Sequence, residues 1–255
     1  MQGSCLCGDV LFEVRPPLRD VVACHCTQCR KVSGHYWAAA SVPAEAFRLI
    51  REQGLAWYRS SPSATRGFCR SCGATLFWKP DGEDRISFSP GALDGPTGLT
   101  VAEHIFTDDA GDYYAPAGPP PVPSPAPPLL QASCLCGGVR FTVPRPEGGI
   151  TACHCTQCRK LSGHHAASFD AEEAEVQFAD RATLAEVATP SGAQRGFCTG
   201  CGSSLYFRDV DGAFSVEAGV VDGPTGSTLT GHIFVADRGD YYALDDGLPQ
   251  HSGGE

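Results

Sequence analysis

Fourteen cysteines are the residues of this chain whose type and spacing could do chemistry, and their spacing repeats. Seven cysteines in the first half recur in the second half, each displaced by 129 positions. The words CHCTQCRK, RGFC, DGPTG, HIF and GDYYA also occur once in each half. The chain is therefore an internal duplication, and whatever chemistry the cysteines perform is encoded twice.

An odd number of cysteines in each copy cannot pair completely in internal disulfides, and closely spaced C-x-C and C-x-x-C words suit a shared metal ion better. Zinc takes four protein ligands in a closed structural site and three in a site that keeps an exchangeable position. Seven cysteines divide naturally into four and three. The spacing therefore predicts about two zinc ions per copy, one of each kind.

The closed site is predicted from the two isolated pairs of each copy. Cys69 and Cys72 lie in FCRSCG, where two thiolates face one ion and the following glycine permits a turn with positive φ. Cys5 and Cys7 are spaced i and i+2, which places both sulfurs on one side of an extended segment. We expect structural zinc on Cys5, Cys7, Cys69 and Cys72, and in the second copy on Cys134, Cys136, Cys198 and Cys201.

The remaining three cysteines of each copy form a compact C-x-C-x-x-C cluster, predicted to lie in one short loop: Cys24, Cys26 and Cys29, and in the second copy Cys153, Cys155 and Cys158. A zinc ion on three thiolates keeps an open position, where an entering thiol is deprotonated near pH 7. The expected zinc-mediated chemistry is the addition of sulfur to a carbon electrophile, or its reversal.

A histidine as fourth ligand would instead make this second site closed. The nearby histidines are His25, His35 and His104, with His154, His164 and His232 in the second copy. A histidine beside metal ligands is more often a packing residue or a partner that orients a ligand. His25, between two ligands in an extended segment, would point away from them.

Short apolar stretches bounded by turn residues must position these cysteines. In the first copy they are residues 9–14, 36–42, 74–78, 85–89 and 101–106, and in the second 139–143, 203–207, 213–218 and 231–235. These stretches predict strands. Residues 43–47 and 170–176 are long enough for only a turn or two of helix, so the predicted class is mainly β.

The boundary between the copies is predicted at residues 116–128, where 8 of 13 positions are proline. Such a segment favours polyproline II and acts as a semi-rigid spacer of roughly 40 Å at most. The predicted domains are residues 1–115 and 129–255, joined by this linker.

Composition excludes several classes of function. The chain is 42% hydrophobic and 19% charged, enough to bury a core, and its net charge of −10 argues against binding to nucleic acid. The N-terminus shows no basic patch followed by an apolar run, and no run of about 18 apolar residues occurs. We therefore expect a cytoplasmic protein that does not enter membranes, where so many cysteines indicate metal ligation rather than disulfides.

The words SCLCGDVLFEV, CHCTQCRKVSG, RGFCRSCGATLF, GALDGPTG and HIF, with their second-copy equivalents, resemble the glutathione-dependent formaldehyde-activating enzyme family, which includes centromere protein V. The resemblance covers nearly all of both repeats. It implies two tandem zinc-containing β-tent domains, with one structural zinc on the C-x-C and C-x-x-C pairs and a second on the C-x-C-x-x-C cluster. It also implies a carbon–sulfur lyase acting on S-(hydroxymethyl)glutathione, with the glutathione sulfur on the second zinc.

Glutathione carries two carboxylates, so a pocket for it should present cations. The basic residues beside the cysteine words are Arg30, Lys31 and Arg66, with Arg159, Lys160 and Arg195 in the second copy. Residues 1–115 hold 11 Lys and Arg against 13 Asp and Glu, whereas residues 129–255 hold 8 against 16. An anionic thiol should therefore bind the first copy better, which predicts that the first copy is the more active.

Two further functions compete with an enzyme that uses a small thiol or thiol adduct. A zinc-stabilised binding module would explain the cysteines without catalysis, because structural zinc contributes roughly 10–16 kcal/mol to folding. A redox switch would use Cys24, Cys26 and Cys29 without metal. Metal content separates the three, with about four zinc ions per chain for the enzyme and about two for the module. The cysteines leave the oligomeric state open.

Overall fold

A computed structural model describes residues 1–254, in which both copies are built mainly from short strands. In the first copy the strands are β1 (Gln2–Ser4), β2 (Leu11–Val14), β3 (Arg19–Cys24), β4 (Trp37–Pro43), β5 (Phe47–Arg51), β6 (Leu55–Ser61), β7 (Ala64–Cys69), β8 (Thr75–Pro80), β9 (Arg85–Phe88) and β10 (Val101–Ile105). One helix, α1 (Thr27–Ser33), follows β3. The short apolar stretches do form strands, whereas the sequence did not predict α1.

The second copy repeats this order. Its strands are β11 (Leu129–Ser133), β12 (Arg140–Pro144), β13 (Ile150–Cys153), β14 (Ala166–Asp170), β15 (Gln177–Asp180), β16 (Leu184–Ala188), β17 (Gln194–Cys198), β18 (Ser204–Arg208), β19 (Phe214–Glu217) and β20 (Leu229–Ile233). Helix α2 (Thr156–Ser162) follows β13. The predicted class, mainly β with two similar tandem sheet domains, is confirmed.

Each copy holds a three-stranded and a seven-stranded sheet. The large sheet of the first copy has the order β10-β3-β4-β9-β8-β7-β6, and the small one β1-β2-β5. The second copy has β16-β17-β18-β19-β14-β13-β20 and β11-β12-β15. Strand β10, which contains His104 and Ile105 of the HIF motif, runs parallel to β3, and its Ile105 lies opposite Cys24. This pairing places β10 directly beside Cys24 of the three-cysteine cluster.

The end of each copy packs against the other copy. Tyr113 is buried in a core formed mainly by second-copy residues, and Tyr241 is buried in the core of the first copy. The Leu229 amide donates to the Tyr113 carbonyl at 2.7 Å, and the Val101 amide donates to the Tyr241 carbonyl at 3.0 Å. The two copies are therefore joined through both cores, and the linker is one of several connections between them.

Helices α1 and α2 lie at this interface. Gly34 ends α1 with φ 84°, and its carbonyl accepts a 2.8 Å hydrogen bond from the Gly219 amide. The carbonyl of Gly163, at the end of α2, accepts one of 3.0 Å from the Gly91 amide. A Cβ on Gly91 or Gly219 would approach the opposite backbone to 2.6 Å or less, so the packing requires glycine there.

Residues 116–128 form neither helix nor strand. The carbonyl of Pro121 accepts a hydrogen bond from the Thr228 hydroxyl, and Ala126 lies against Gly226. The linker thus lies along the second copy. Within residues 1–254 the structure has no helix with the length and apolar character needed to span a bilayer.

Candidate functional site

The two pairs predicted for the closed site do meet in each copy. Cys5 and Cys7 lie between β1 and β2, and Cys69 ends β7. The Sγ atom of Cys7 lies 3.5 Å from that of Cys5 and 3.7 Å from that of Cys69. All four sulfurs, including that of Cys72, lie within 4.8 Å of one another. Tetrahedral zinc with bonds of about 2.3 Å would separate sulfurs by about 3.8 Å, so the group fits the ion.

Local backbone geometry prepares this arrangement. Gly73 follows Cys72 with φ 76°, and Gly8 follows Cys7 with φ 81°, both in the region that favours glycine. The Val10 amide donates to Cys5 Sγ at 3.2 Å. The second copy repeats the set, within the same 4.8 Å limit, on Cys134, Cys136, Cys198 and Cys201.

The three remaining cysteines of each copy also converge, but they do not lie in one short loop as expected. Cys24 ends β3, Cys26 precedes the first turn of α1, and Cys29 lies within that helix. The three sulfurs lie within 4.8 Å of one another, as do those of Cys153, Cys155 and Cys158. A strand end and a helix start fix these thiols more firmly than a loop would.

A buried arginine contacts each three-cysteine cluster. Arg66, on β7, donates from Nη2 to Cys29 Sγ at 3.3 Å, and Arg195 donates to Cys158 Sγ at 3.5 Å. Burial alone would lower the pKa of the Arg66 guanidinium, but the Cys29 thiol outweighs burial and the pKa is raised. The guanidinium therefore remains a cation. Its Nε and Nη1 atoms are buried without a hydrogen-bond partner among the described residues.

Neighbouring thiols set the acidity of these cysteines. Hydrogen bonds from Cys24 and Cys29 lower the pKa of Cys26 to about 2, and the equivalent contacts lower that of Cys155 to about 2. Hydrogen bonds with Cys26 and Cys29 raise the pKa of Cys24. Loss of a proton from one thiol opposes ionisation of its neighbours, and a bound divalent cation would stabilise further thiolates.

The histidines considered as fourth ligands have hydrogen-bond partners of their own, mainly tyrosine hydroxyls and one another. His25 approaches the Tyr114 hydroxyl at 2.8 Å with Nδ1 and His104 at 2.9 Å with Nε2. His154 repeats both contacts with Tyr242 and His232. His35 approaches the Tyr113 hydroxyl, and His164 those of Tyr241 and Tyr36. Within residues 1–254, neither three-cysteine group includes a histidine or carboxylate within 4.8 Å.

A cavity of about 620 Å³ opens beside the first three-cysteine cluster. Besides the cysteines and Arg66, side chains that the sequence analysis missed line it: Arg19, Trp37, Trp78, Arg85 and Asp109. The Arg66 guanidinium lies 5.6 Å from the centre of the Trp37 ring. Four of them come from β3, β4, β8 and β9, which are neighbours in the large sheet, and Asp109 follows β10. Only the three-dimensional structure shows that they meet.

The six basic residues expected at a substrate carboxylate do not all lie in the cavities. Arg66 and Arg195 line them. Lys31 crosses the interface instead, donating to the Ser133 and Val220 carbonyls and pairing with Asp222. Lys160 likewise pairs with Asp94, and Arg159 donates to the Gly91 carbonyl. Arg30 donates to the Asp109 carbonyl of its own copy.

The second cavity, of about 680 Å³, lies beside the equivalent group of three cysteines but has different walls. Ala166 and Phe207 stand where the first copy has Trp37 and Trp78. Four carboxylates line it, from Asp170, Asp209, Glu217 and Asp237. Burial raises the pKa of Glu217 to about 7, against the opposing influence of Arg195 and of a hydrogen bond from Ser204.

These features define a tandem β protein in which each copy has one four-cysteine and one three-cysteine group that could hold a metal ion, the latter beside a cavity. Residues 1–109 and 129–237 match the family model of the glutathione-dependent formaldehyde-activating enzyme. The chain belongs to this family, and both repeats carry its pattern.

Three other proteins are similar to parts of this chain. A protein of Schizosaccharomyces pombe named an uncharacterized lyase is 25% identical over 117 residues, 45% of this chain and 85% of that protein. A Halomonas elongata protein named "Putative glutathione-dependent formaldehyde-activating enzyme" is 36% identical over 89 residues, 32% of this chain and 57% of that protein. The crystal structure of a Rhodobacter sphaeroides protein aligns with 41% of this chain and 99% of its own at 25% identity, with a TM-score of 0.34.

Proposed function

We propose that each copy of this chain binds a small thiol at its three-cysteine centre and forms or cleaves a carbon–sulfur bond there, with S-(hydroxymethyl)glutathione as the model adduct. The observation that carries the proposal is a cluster of three thiols with no further histidine or carboxylate ligand in residues 1–254, lying at a cavity. The family match and the lyase name of one relative support the same class of reaction. The free thiols of the described chain suit a reducing compartment such as the cytoplasm.

The three thiols would hold zinc, and the four-cysteine groups would hold a structural zinc. When bound to three thiolates, zinc supplies an open coordination position at which a thiol loses its proton. In the direction of synthesis a sulfur–carbon bond forms between thiolate and aldehyde, and the aldehyde oxygen takes up a proton. Cleavage of the adduct reverses both changes, so no oxidant or reductant is consumed.

Arg66 has two roles in this proposal. One guanidinium nitrogen contacts Cys29 Sγ and holds that ligand in place. The remaining buried donors, Nε and Nη1, are free to bind the developing negative charge on the aldehyde oxygen or a substrate carboxylate. Arg195 is the equivalent residue of the second copy.

The walls of the first cavity suit an anionic thiol such as glutathione. Three arginines and one carboxylate line it, from Arg19, Arg66, Arg85 and Asp109. Two substrate carboxylates would thus meet an excess of cations, and Trp37 and Trp78 provide apolar walls that exclude water from the reacting atoms. The first copy is accordingly proposed as the more active towards glutathione.

Exchange spectroscopy of ¹³C-formaldehyde and glutathione tests the function on the zinc-loaded full chain. We expect catalysed formation and cleavage of the hydroxymethyl adduct above the spontaneous rate. The matched control is the double variant Cys26→Ser/Cys155→Ser, which keeps both four-cysteine groups and removes a ligand from each three-cysteine group. Equal rates for the two proteins would reject the proposal.

A further inference from the structure

The two cavities differ in the charge of the side chains that line them, although the three cysteines beside each cavity have the same spacing in the sequence. The first has three arginines and one carboxylate, whereas the second has one arginine and four carboxylates. Asp237 and Asp109 are equivalent, so the difference comes from other positions. Asp170 opposes Ser215 in the register of β14 and β19, where the first copy has Ser41 opposite Ser87. The second copy therefore gains negative charge on strands that are otherwise shared.

One exchange alters the cavity next to the cluster itself. In the first copy the Trp37 indole nitrogen donates to Ser89 Oγ at 2.8 Å, and both side chains are buried. In the second copy the equivalent residues are Ala166 and Glu217. A large apolar ring anchored by a hydroxyl has thus been replaced by a methyl group and a carboxylate.

Glu217 is 3% exposed, and its hydrogen bonding is incomplete. Oε1 accepts a hydrogen bond from the Ser204 hydroxyl at 3.3 Å, while Oε2 is buried with no partner among the described residues. A buried carboxylate oxygen without a partner costs free energy comparable to a lost hydrogen bond or more. The Arg195 guanidinium donates to Cys158 Sγ, and it acts on Glu217 through its charge, which lowers the pKa of that carboxyl against the larger effect of burial.

We infer that the second cavity accepts a thiol that carries an ammonium group and no carboxylate, an aminothiol, with Glu217 as the partner of that ammonium group. This inference rests on the proposed function, because it assumes that a thiol reaches the three-cysteine centre. The four carboxylates attract a cation and repel the carboxylates of glutathione. Glu217 lines the cavity, so its carboxylate would attract the ammonium group.

The two sites would then divide substrates by charge within one chain. Anionic thiols enter the first cavity, aminothiols enter the second, and the shared cysteine geometry performs the same chemistry on each. Such discrimination combines attraction of one substrate with repulsion of the other.

Cobalt-loaded full chain provides a readout that does not depend on catalysis, because a thiol joining a three-cysteine centre changes the visible spectrum of the ion. Two variants isolate the sites: Cys26→Ser leaves the second centre intact, and Cys155→Ser leaves the first. Each is titrated with cysteamine, 2-mercaptoethanol and glutathione. Circular dichroism of both variants serves as the check that they remain folded.

We expect Cys26→Ser to bind cysteamine at least tenfold tighter than glutathione, and Cys155→Ser to show the opposite order. Adding Glu217→Gln or Asp170→Ser to Cys26→Ser should reduce the preference for cysteamine several-fold, with little effect on 2-mercaptoethanol. Thiol binding with the same charge preference at both sites would overturn this inference and leave the proposed function standing. No spectral change with any thiol at either site would overturn both.

Discussion

Arg66 Nη2 lies 3.3 Å from Cys29 Sγ, and the same contact recurs between Arg195 and Cys158. The arginine comes from a strand and the cysteine from a helix, so the contact ties the large sheet to the three-cysteine centre. It also places a buried cation beside a cluster of thiols, where a charged hydrogen bond contributes about 1.5–3 kcal/mol.

Arg66→Ala should therefore weaken glutathione binding at the first centre by roughly 10- to 100-fold, because a charged donor to ligand sulfur and substrate is lost. Arg66→Lys keeps the charge without the planar pair of donors and should recover only part of the affinity. Titration of the Cys155→Ser background, which isolates the first centre, measures both. Unchanged affinity in Arg66→Ala would remove this residue from the binding site.

The two kinds of cysteine centre should respond differently to substitution. Cys26→Ser should lower the zinc content from about four to about three ions per chain and leave the chain folded, since α1 and β3 keep their packing. Cys69→Ser also removes one ion, but it should strongly lower the melting temperature because that zinc joins two distant segments. Zinc analysis with thermal melting measures both. Global unfolding by both variants would contradict the division of roles.

The interface depends on Lys31, whose ammonium group reaches the second copy and pairs with Asp222. Lys31→Ala should reduce the free energy of unfolding by about 1–3 kcal/mol, because it leaves buried carbonyl oxygens without a donor. Arg48→Ala is the control, as it breaks the more exposed pair with Glu13, worth about 0–1 kcal/mol. Denaturant unfolding compares the two, and equal effects would argue against a stabilising interface.

Glu217 should make stability depend on pH. Its pKa is raised by burial to about 7, so its contribution is fully present below about pH 4.5 and is lost as pH rises through 7. Between pH 6 and pH 8.5 the wild type should lose about 1 kcal/mol relative to Glu217→Gln. Chemical unfolding of the zinc-loaded proteins measures this difference. A pH-independent difference in stability between the wild type and Glu217→Gln would contradict the burial of Glu217 as an acid.

The sequence predicted the grouping of the cysteines because their spacing limits which sulfurs can meet. The same spacing recurs in both copies, which supports the same grouping in each. It also predicted a strand at 101–106, which the structure shows at Val101–Ile105. It missed α1, a seven-residue helix that is too short for a periodic signal and ends at Gly34. Lys31 was expected in a substrate pocket because it follows Cys29 closely, but the helix turns it towards the other copy.

The charge of each cavity depends on residues far apart in sequence. Arg19 and Arg85 reach the first cavity only through the order of strands in the large sheet. Glu217 had a readable signal, since comparison of the copies shows Ser89 and Trp37 replaced together by Glu217 and Ala166. Without the structure, nothing showed that these two positions touch.

X-ray absorption at the zinc edge, on the full chain with and without thiol, tests the central claim most directly. We expect about four zinc ions per chain and an average of about 3.5 sulfur ligands per ion, because half of the sites have three cysteines. Saturation with glutathione and cysteamine together should raise the average to about 4. An unchanged sulfur count after saturation would contradict thiol binding at the three-cysteine centres.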